Sequence, residues 1–222
     1  MIKAIVFDLD NTLYNEADYF RETYKKIGEY LSGILKENSS VIKNELMEIL
    51  ENFGDKRVFD IYIKKRGLDI EVKNKMIEIY RAADVNIILK KNALNLLKFL
   101  RTKHLKIGLL TNGGEKTQVN KIRNLKLENL FDEIVITGKE LKREHWKPNK
   151  KAFKLILERL RVEPEEIIYI GDNPKTDLGG LKLKIKTILV NNKYLSEEKY
   201  KEVLIFKSLD DVFYFLIKLN GE

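Results

Sequence analysis

The chain has 222 residues, 44% of them apolar and 34% charged, with a formal net charge of +8, no cysteine and two histidines. That length suits one large domain or a domain carrying a smaller insertion. The lack of cysteine excludes disulfides, thiol nucleophiles and cysteine metal sites, and His104 and His145 are too few for a histidine-rich zinc centre.

Ile2 to Phe7 is a short apolar run with one charge, which reads as a buried strand. Asp8-Leu9-Asp10-Asn11-Thr12 follows where that strand should end. Residues i and i+2 of an extended chain point to the same side, so two carboxylates can converge at the strand's C-terminal edge. Like charges so placed ask for a cation or a proton between them. An acidic turn of Asp and Asn is the plain alternative for this stretch alone.

A helical pattern then holds for about seventy residues. Ala17, Phe20, Tyr24, Ile27, Leu31 and Ile34 form one apolar stripe. Further helices are predicted from Ser40, over Asp55 to Arg66, and over Val72 to Ala83, with Gly54 and Gly67 as breaks. Residues 15–85 therefore read as a helical subdomain, entered near Tyr14 and left between Asp84 and Leu89. Beyond it the pattern is α/β. Strands are predicted over Leu105 to Leu110, Glu133 to Thr137, Glu166 to Ile170 and Lys186 to Val190. Helices lie between them, and Ser208 to Asp211 resembles a capping box before the last. Alternating strands and helices predict an α/β fold, a Rossmann-like, mostly parallel sheet with helices on both faces. Residues 1–14 and 86–222 would form this core.

The charge is uneven. Residues 15–85 hold 13 Lys+Arg against 14 Asp+Glu, and the remainder 29 against 20. The densest basic stretch, Lys139 to Lys154, has seven basic and two acidic residues. It carries no nucleic-acid-binding signature, so a field for small anions such as phosphates is the better reading. With no apolar run near ~18 residues and no signal-peptide pattern, a cytoplasmic protein that binds no membrane is expected. Oligomeric state has no signature in the chain.

Ligands of open α/β sheets bind beyond the C-terminal ends of the strands. Asp8 with Asp10, Thr111, Lys147, and Asp172 with Asp177 all lie at or just after such ends. Asp8-Leu9-Asp10-Asn11-Thr12, Thr111 after an apolar strand, Lys147-Pro148, and Gly171-Asp172 with Asp177 resemble the four motifs of the haloacid dehalogenase-like hydrolase superfamily. The helical insertion between the first two resembles that superfamily's C1-type cap.

This resemblance implies a Mg²⁺-dependent phosphatase of small phosphomonoesters. Asp8 would be the nucleophile. Asp10 would protonate the leaving oxygen and then activate water. Asp8, the Asp10 carbonyl and Asp172 would hold Mg²⁺. Thr111 and the Asn112 backbone N–H would bind the phosphoryl oxygens, Lys147 would screen their charge against Asp8, and Asp177 would orient Lys147 or a metal-bound water. Asp10 argues against the dehalogenase branch, which lacks a second aspartate here. A phosphomutase, or a phospholigand-binding module with little turnover, remains open. Tyr14 and Asn15 are the candidates for substrate contact from the cap. Trp146 either narrows the entrance or packs, Asn149 is expected to cap a helix, and Gly179-Gly180 to permit a close helix–strand contact.

Overall fold

The computed structural model describes residues 1–190 and 203–219; 191–202 and 220–222 of the predicted core lie outside the described residues. Its strands are β1 (Ala4–Phe7), β2 (Lys106–Thr111), β3 (Glu133–Ile136), β4 (Ile167–Gly171), β5 (Lys186–Val190) and β6 (Val203–Phe206). They form one sheet in the order β3-β2-β1-β4-β5-β6, every pairing parallel. β6 is an addition to the strands expected from sequence. Thr137, expected at a strand end, instead opens the short helix α7 (Thr137–Glu140).

β1 is central, between β2 and β4, and every residue in it is buried. Its alternating side chains feed two cores. Ile5 and Phe7 pack with Leu96, Leu97 and Leu100 of α5 (Ala93–Thr102), Ile122 of α6 (Glu115–Asn124), and Val212 and Leu216 of the last helix, α9 (Leu209–Leu219). Ala4 and Val6 pack with Phe153, Ile156 and Leu160 of α8 (Lys150–Leu160). The chain builds the β1-β2-β3 side first and then crosses to β4. The strand order therefore reverses at β1, and a crevice opens there at the C-terminal strand ends.

Residues between β1 and α5 form α1 (Glu16–Leu35), α2 (Ser39–Phe53), α3 (Val58–Arg66) and α4 (Ile70–Ala82). They share an apolar cluster of their own, including Phe20, Tyr24, Ile27, Leu46, Tyr62 and Met76. The stripe of α1 ends at Leu31, because Ile34 is 44% exposed. The expected third helix begins as a 3₁₀ turn at Asp55–Arg57 before α3. The chain passes into and out of these helices side by side: Tyr14 bridges Leu89 antiparallel, and Lys90 N donates to Leu13 O at 2.8 Å. Among the described residues no helix is long and apolar enough to cross a membrane.

Candidate active site

The register of β1 with its neighbours sets the site. Phe7 pairs with Leu109 and with Ile170, so the loops after β1, β2 and β4 emerge together. Asn11 turns the first loop at a left-handed φ of 57°, a conformation Asn tolerates. The loops surround a cavity of about 610 Å³. Asp8, Asp10, Asn112, Lys147 and Asp172 line it from the sheet side, and Glu16, Asp55 and Lys56 from the helical side.

Lys147 is buried and its ammonium is fully used. It donates to Asp8 Oδ1 at 2.7 Å, Asp177 Oδ1 at 2.8 Å and the Tyr169 hydroxyl at 2.7 Å. Its backbone is clamped by Asn112, whose side chain accepts from Lys147 N at 3.0 Å and donates to Lys147 O at 2.9 Å. Asp177 is wholly buried and also accepts from the N–H groups of Asp172 and Asn173, at 3.1 and 2.9 Å. Gly171 permits this, because a Cβ there would run into the Asp177 carboxylate. Gly179 is small for a reason other than the expected helix–strand contact: its α-carbon lies against the Pro148 carbonyl and the Phe153 ring, behind the Lys147 loop.

Carboxylate oxygens of Asp8, Asp172 and Asp177 come within 4.8 Å of one another. Burial pushes the Asp8 carboxyl well above its ordinary range; Lys147 opposes this, and Asp177 and Asp10 add to it. Burial and then Asp177 push Asp172 up to about 7, against Lys147 and Lys90. Three acids around one buried lysine leave excess negative charge, and oxygen donors of this kind fit a hard divalent cation. Asp177 already accepts on both oxygens, which leaves Asp8 and Asp172 as the side chains suited to hold an ion.

Asp10 faces a different environment. Its Oδ1 accepts from Lys121 Nζ and the Tyr14 hydroxyl, both at 2.6 Å, and its Oδ2 from Gln118 Nε2 at 2.9 Å. Burial alone would raise this carboxyl, but Lys121, followed by the Tyr14 and Gln118 hydrogen bonds, brings it below its ordinary value. Lys121 also donates to Glu16 Oε1 at 3.0 Å. Burial and the charge of Asp10 push Glu16 up to about 7 against that contact. The Asp10 carboxylate thus stands outside the acidic cluster.

Other expected residues fall out as follows. Thr111 is fully buried beneath the cavity, where its hydroxyl accepts from Gln118 at 2.6 Å; Asn112 and Gly113 form the lining above it. Tyr14 is buried against Asp10 and does not line the cavity, and Asn15 caps α1 through Ala17 N. Trp146 both lines the cavity and packs, with the Arg143 guanidinium 5.6 Å from its ring centre and its Nε1 donating to Leu141 O. Asn149 caps α8 by accepting from Lys151 N. His104 is exposed, and His145 meets Lys151 at 2.8 Å. Lys121, Gln118 and Tyr169 belong to no motif that marks them in the sequence.

A family model for haloacid dehalogenase-like hydrolases matches residues 2–183. The chain belongs to that family. It is 31% identical over 188 residues to a glyceraldehyde 3-phosphate phosphatase of Methanopyrus kandleri, covering 81% of this chain and 79% of the relative. It is 25% identical to the pyrophosphatase PpaX of Bacillus mycoides, over 99% of both chains. Among solved structures, an HAD phosphatase from Thermococcus onnurineus superposes with a TM-score of 0.67 at 22% identity, covering 99% of this chain and 98% of that one, a likeness of fold.

Proposed function

We propose that the protein is a Mg²⁺-dependent phosphatase of small phosphomonoesters that works through a phosphorylated Asp8. The observation that carries this reading is the burial of Asp8 in an acidic cluster with one lysine, while Asp10, two residues away, is held in a separate network. Asp8 attacks phosphorus as the bond to the leaving oxygen breaks, and that oxygen takes a proton from Asp10. Water then attacks phosphorus and gives a proton back to Asp10 as the bond from phosphorus to Asp8 breaks, which frees Asp8 and releases inorganic phosphate. Asp8, Asp172 and the Asp10 carbonyl would hold Mg²⁺, which when bound would offset the charge on the oxygens of the phosphoryl group whose phosphorus Asp8 attacks. Lys147 balances the remaining charge beside the nucleophile, and Asp177 orients it. Asn112 and its turn receive the phosphoryl group, with Thr111 supporting them from below.

Residues 15–85 act as a cap over the core formed by 1–14 and 86–222, and close the cavity around the leaving group. The names of the relatives, a triose phosphate phosphatase and a pyrophosphatase, support a small phosphorylated substrate. Release of inorganic phosphate from p-nitrophenyl phosphate and from a panel of phosphometabolites, with and without Mg²⁺, tests the reading. Turnover that needs Mg²⁺ is expected. No turnover of any of them with Mg²⁺ present would sink it, and tight binding without hydrolysis would make the protein a phospholigand-binding module.

A further inference from the structure

Gln118 and Lys121 lie one turn apart on α6 and are only 1% and 2% exposed. Neither lines the cavity, although Asp10, which both touch, does. An ammonium taken out of water is costly unless it is paired, and Lys121 is paired twice, with Asp10 and with Glu16 at the start of α1. Its charge also lies 4.8 Å from the centre of the Tyr19 ring. The donors around Asp10 are unequally shared. Among the described residues, Lys121 and Tyr14 both take Oδ1, whereas Oδ2 receives the Gln118 amide alone. That amide also reaches Thr111 Oγ1 at 2.6 Å and Asn112 O at 3.1 Å, so it ties Asp10 to the turn beneath the phosphoryl position.

We infer that Lys121, with Gln118, is a positioning residue for Asp10: it commits Oδ1 to accepting hydrogen bonds and leaves Oδ2 as the oxygen that exchanges protons with the leaving group and with water. A carboxyl that serves in turn as acid and base must present the same oxygen to both partners within hydrogen-bond reach. Two charged or hydroxyl donors on one oxygen make that oxygen the acceptor and direct the proton to the other. This inference rests on the phosphatase reading and adds residues of α6 to it.

The test compares kcat/KM for two leaving groups. p-Nitrophenolate departs without a proton, whereas the alkoxide of glycerol phosphate needs one. A variant that merely lowers the fraction of folded enzyme reduces both values equally, so their ratio is blind to folding. Asp10→Asn is expected to lower glycerol phosphate relative to p-nitrophenyl phosphate by about 10²-fold or more. Lys121→Met should change the ratio by about 10-fold or more, because it frees Oδ1 and also removes the charge that holds the Asp10 carboxyl down, and the double variant should show the ratio of Asp10→Asn alone. A ratio unchanged by Lys121→Met, or a shift that adds in full to that of Asp10→Asn, overturns the inference and leaves the phosphatase reading standing. If Asp10→Asn leaves the ratio unchanged, Asp10 is not the proton donor and the inference falls with that assignment. Wild-type protein that hydrolyses neither ester sinks the phosphatase reading and the inference together. Should Lys121→Met fail to fold, Gln118→Met is read in the same way, and an unchanged ratio there is equally fatal.

Discussion

Asp8 and Asp10 are two residues apart, and each bonds a buried lysine, yet the two surroundings are opposite in balance. On the Asp8 side three carboxylates crowd one ammonium, and those of Asp8 and Asp172 are pushed up. On the Asp10 side Lys121 is joined by a phenol and an amide, and the carboxyl is pulled down. On both sides carboxylates outnumber the lysine, but on the Asp10 side the shortfall falls on Glu16, while the Asp10 carboxylate is satisfied by three donors. On the proposed reading, a cation would bind at Asp8 and Asp172 and not at the Asp10 carboxylate, and a single loop would present a metal-binding nucleophile beside an acid–base group whose carboxylate stays off the metal.

The largest effect should come from Asp8→Asn, which keeps the shape and removes the attacking oxygen. Turnover of p-nitrophenyl phosphate is expected to fall by at least about 10³-fold, with no phosphate retained on the denatured protein. Residual turnover near wild type would remove Asp8 from the covalent role and the comparison with it. Next come the two lysines. Lys147→Met and Lys121→Met each strand buried carboxylates, at a cost of about 3–5 kcal/mol in thermal or urea unfolding. Mg²⁺ should restore part of the loss for Lys147→Met, because the ion would sit among the same carboxylates, and none of it for Lys121→Met. Equal recovery in both would show that the two sides do not differ as described.

The Asp8 side was legible in the sequence apart from Tyr169, and on the Asp10 side only Asp10 itself was. Asp8, Asp172 and Asp177 come soon after the buried strands β1 and β4, and strand ends are where such folds gather polar groups; Lys147 instead lies beyond α7, well past the end of β3, and was marked by the Lys-Pro motif rather than by a strand end. Lys121 and Gln118 sit on a helix whose sequence, EKTQVNKIRN, is mostly polar and reads as a solvated face. Its burial is tertiary, since Lys121 is covered by Tyr14, Tyr19 and Glu16 from residues more than a hundred positions earlier. A signal did exist: Gln118 and Lys121 share the 118, 121, 122, 125 spacing with Ile122 and Leu125, which are buried. The fold shows the same contrast. β1 and β4 were plain because every residue in them is buried, whereas β6 is four apolar residues with no period, too short to tell strand from helix.

A smaller effect is expected at Gly171. Its α-carbon faces the Asp177 carboxylate so closely that an added methyl must push that side chain away. Asp177 would then lose its hold on Lys147 and on the Asp172 and Asn173 amides. Gly171→Ala should cost about 1–3 kcal/mol in unfolding and lower kcat, while the leaving-group ratio set by Asp10 stays put. A change in that ratio would mean that the two sides are coupled through the sheet.

The smallest effect divides the comparison by pH. Asp172 and Glu16 hold their protons up to about 7 in the folded protein, against ordinary values of 3.8 and 4.5. Between those limits the folded state binds more protons than the unfolded state, so stability falls as pH rises through the window and the contribution is lost above about 7. Asp10, pulled below 3.8, acts in the opposite sense only under more acidic conditions. Each raised carboxyl is worth on the order of 1 kcal/mol between about pH 5 and about pH 8, measured by unfolding the metal-free protein. Asp8, also pushed up, adds to the same slope; saturating Mg²⁺ should erase the Asp8 and Asp172 shares, because the ion replaces the proton there, and leave the Glu16 share untouched. Glu16→Gln should do the reverse. If Mg²⁺ flattens the whole slope, Glu16 belongs to the metal side, and the division between the two lysine pockets would have to be redrawn through Lys121.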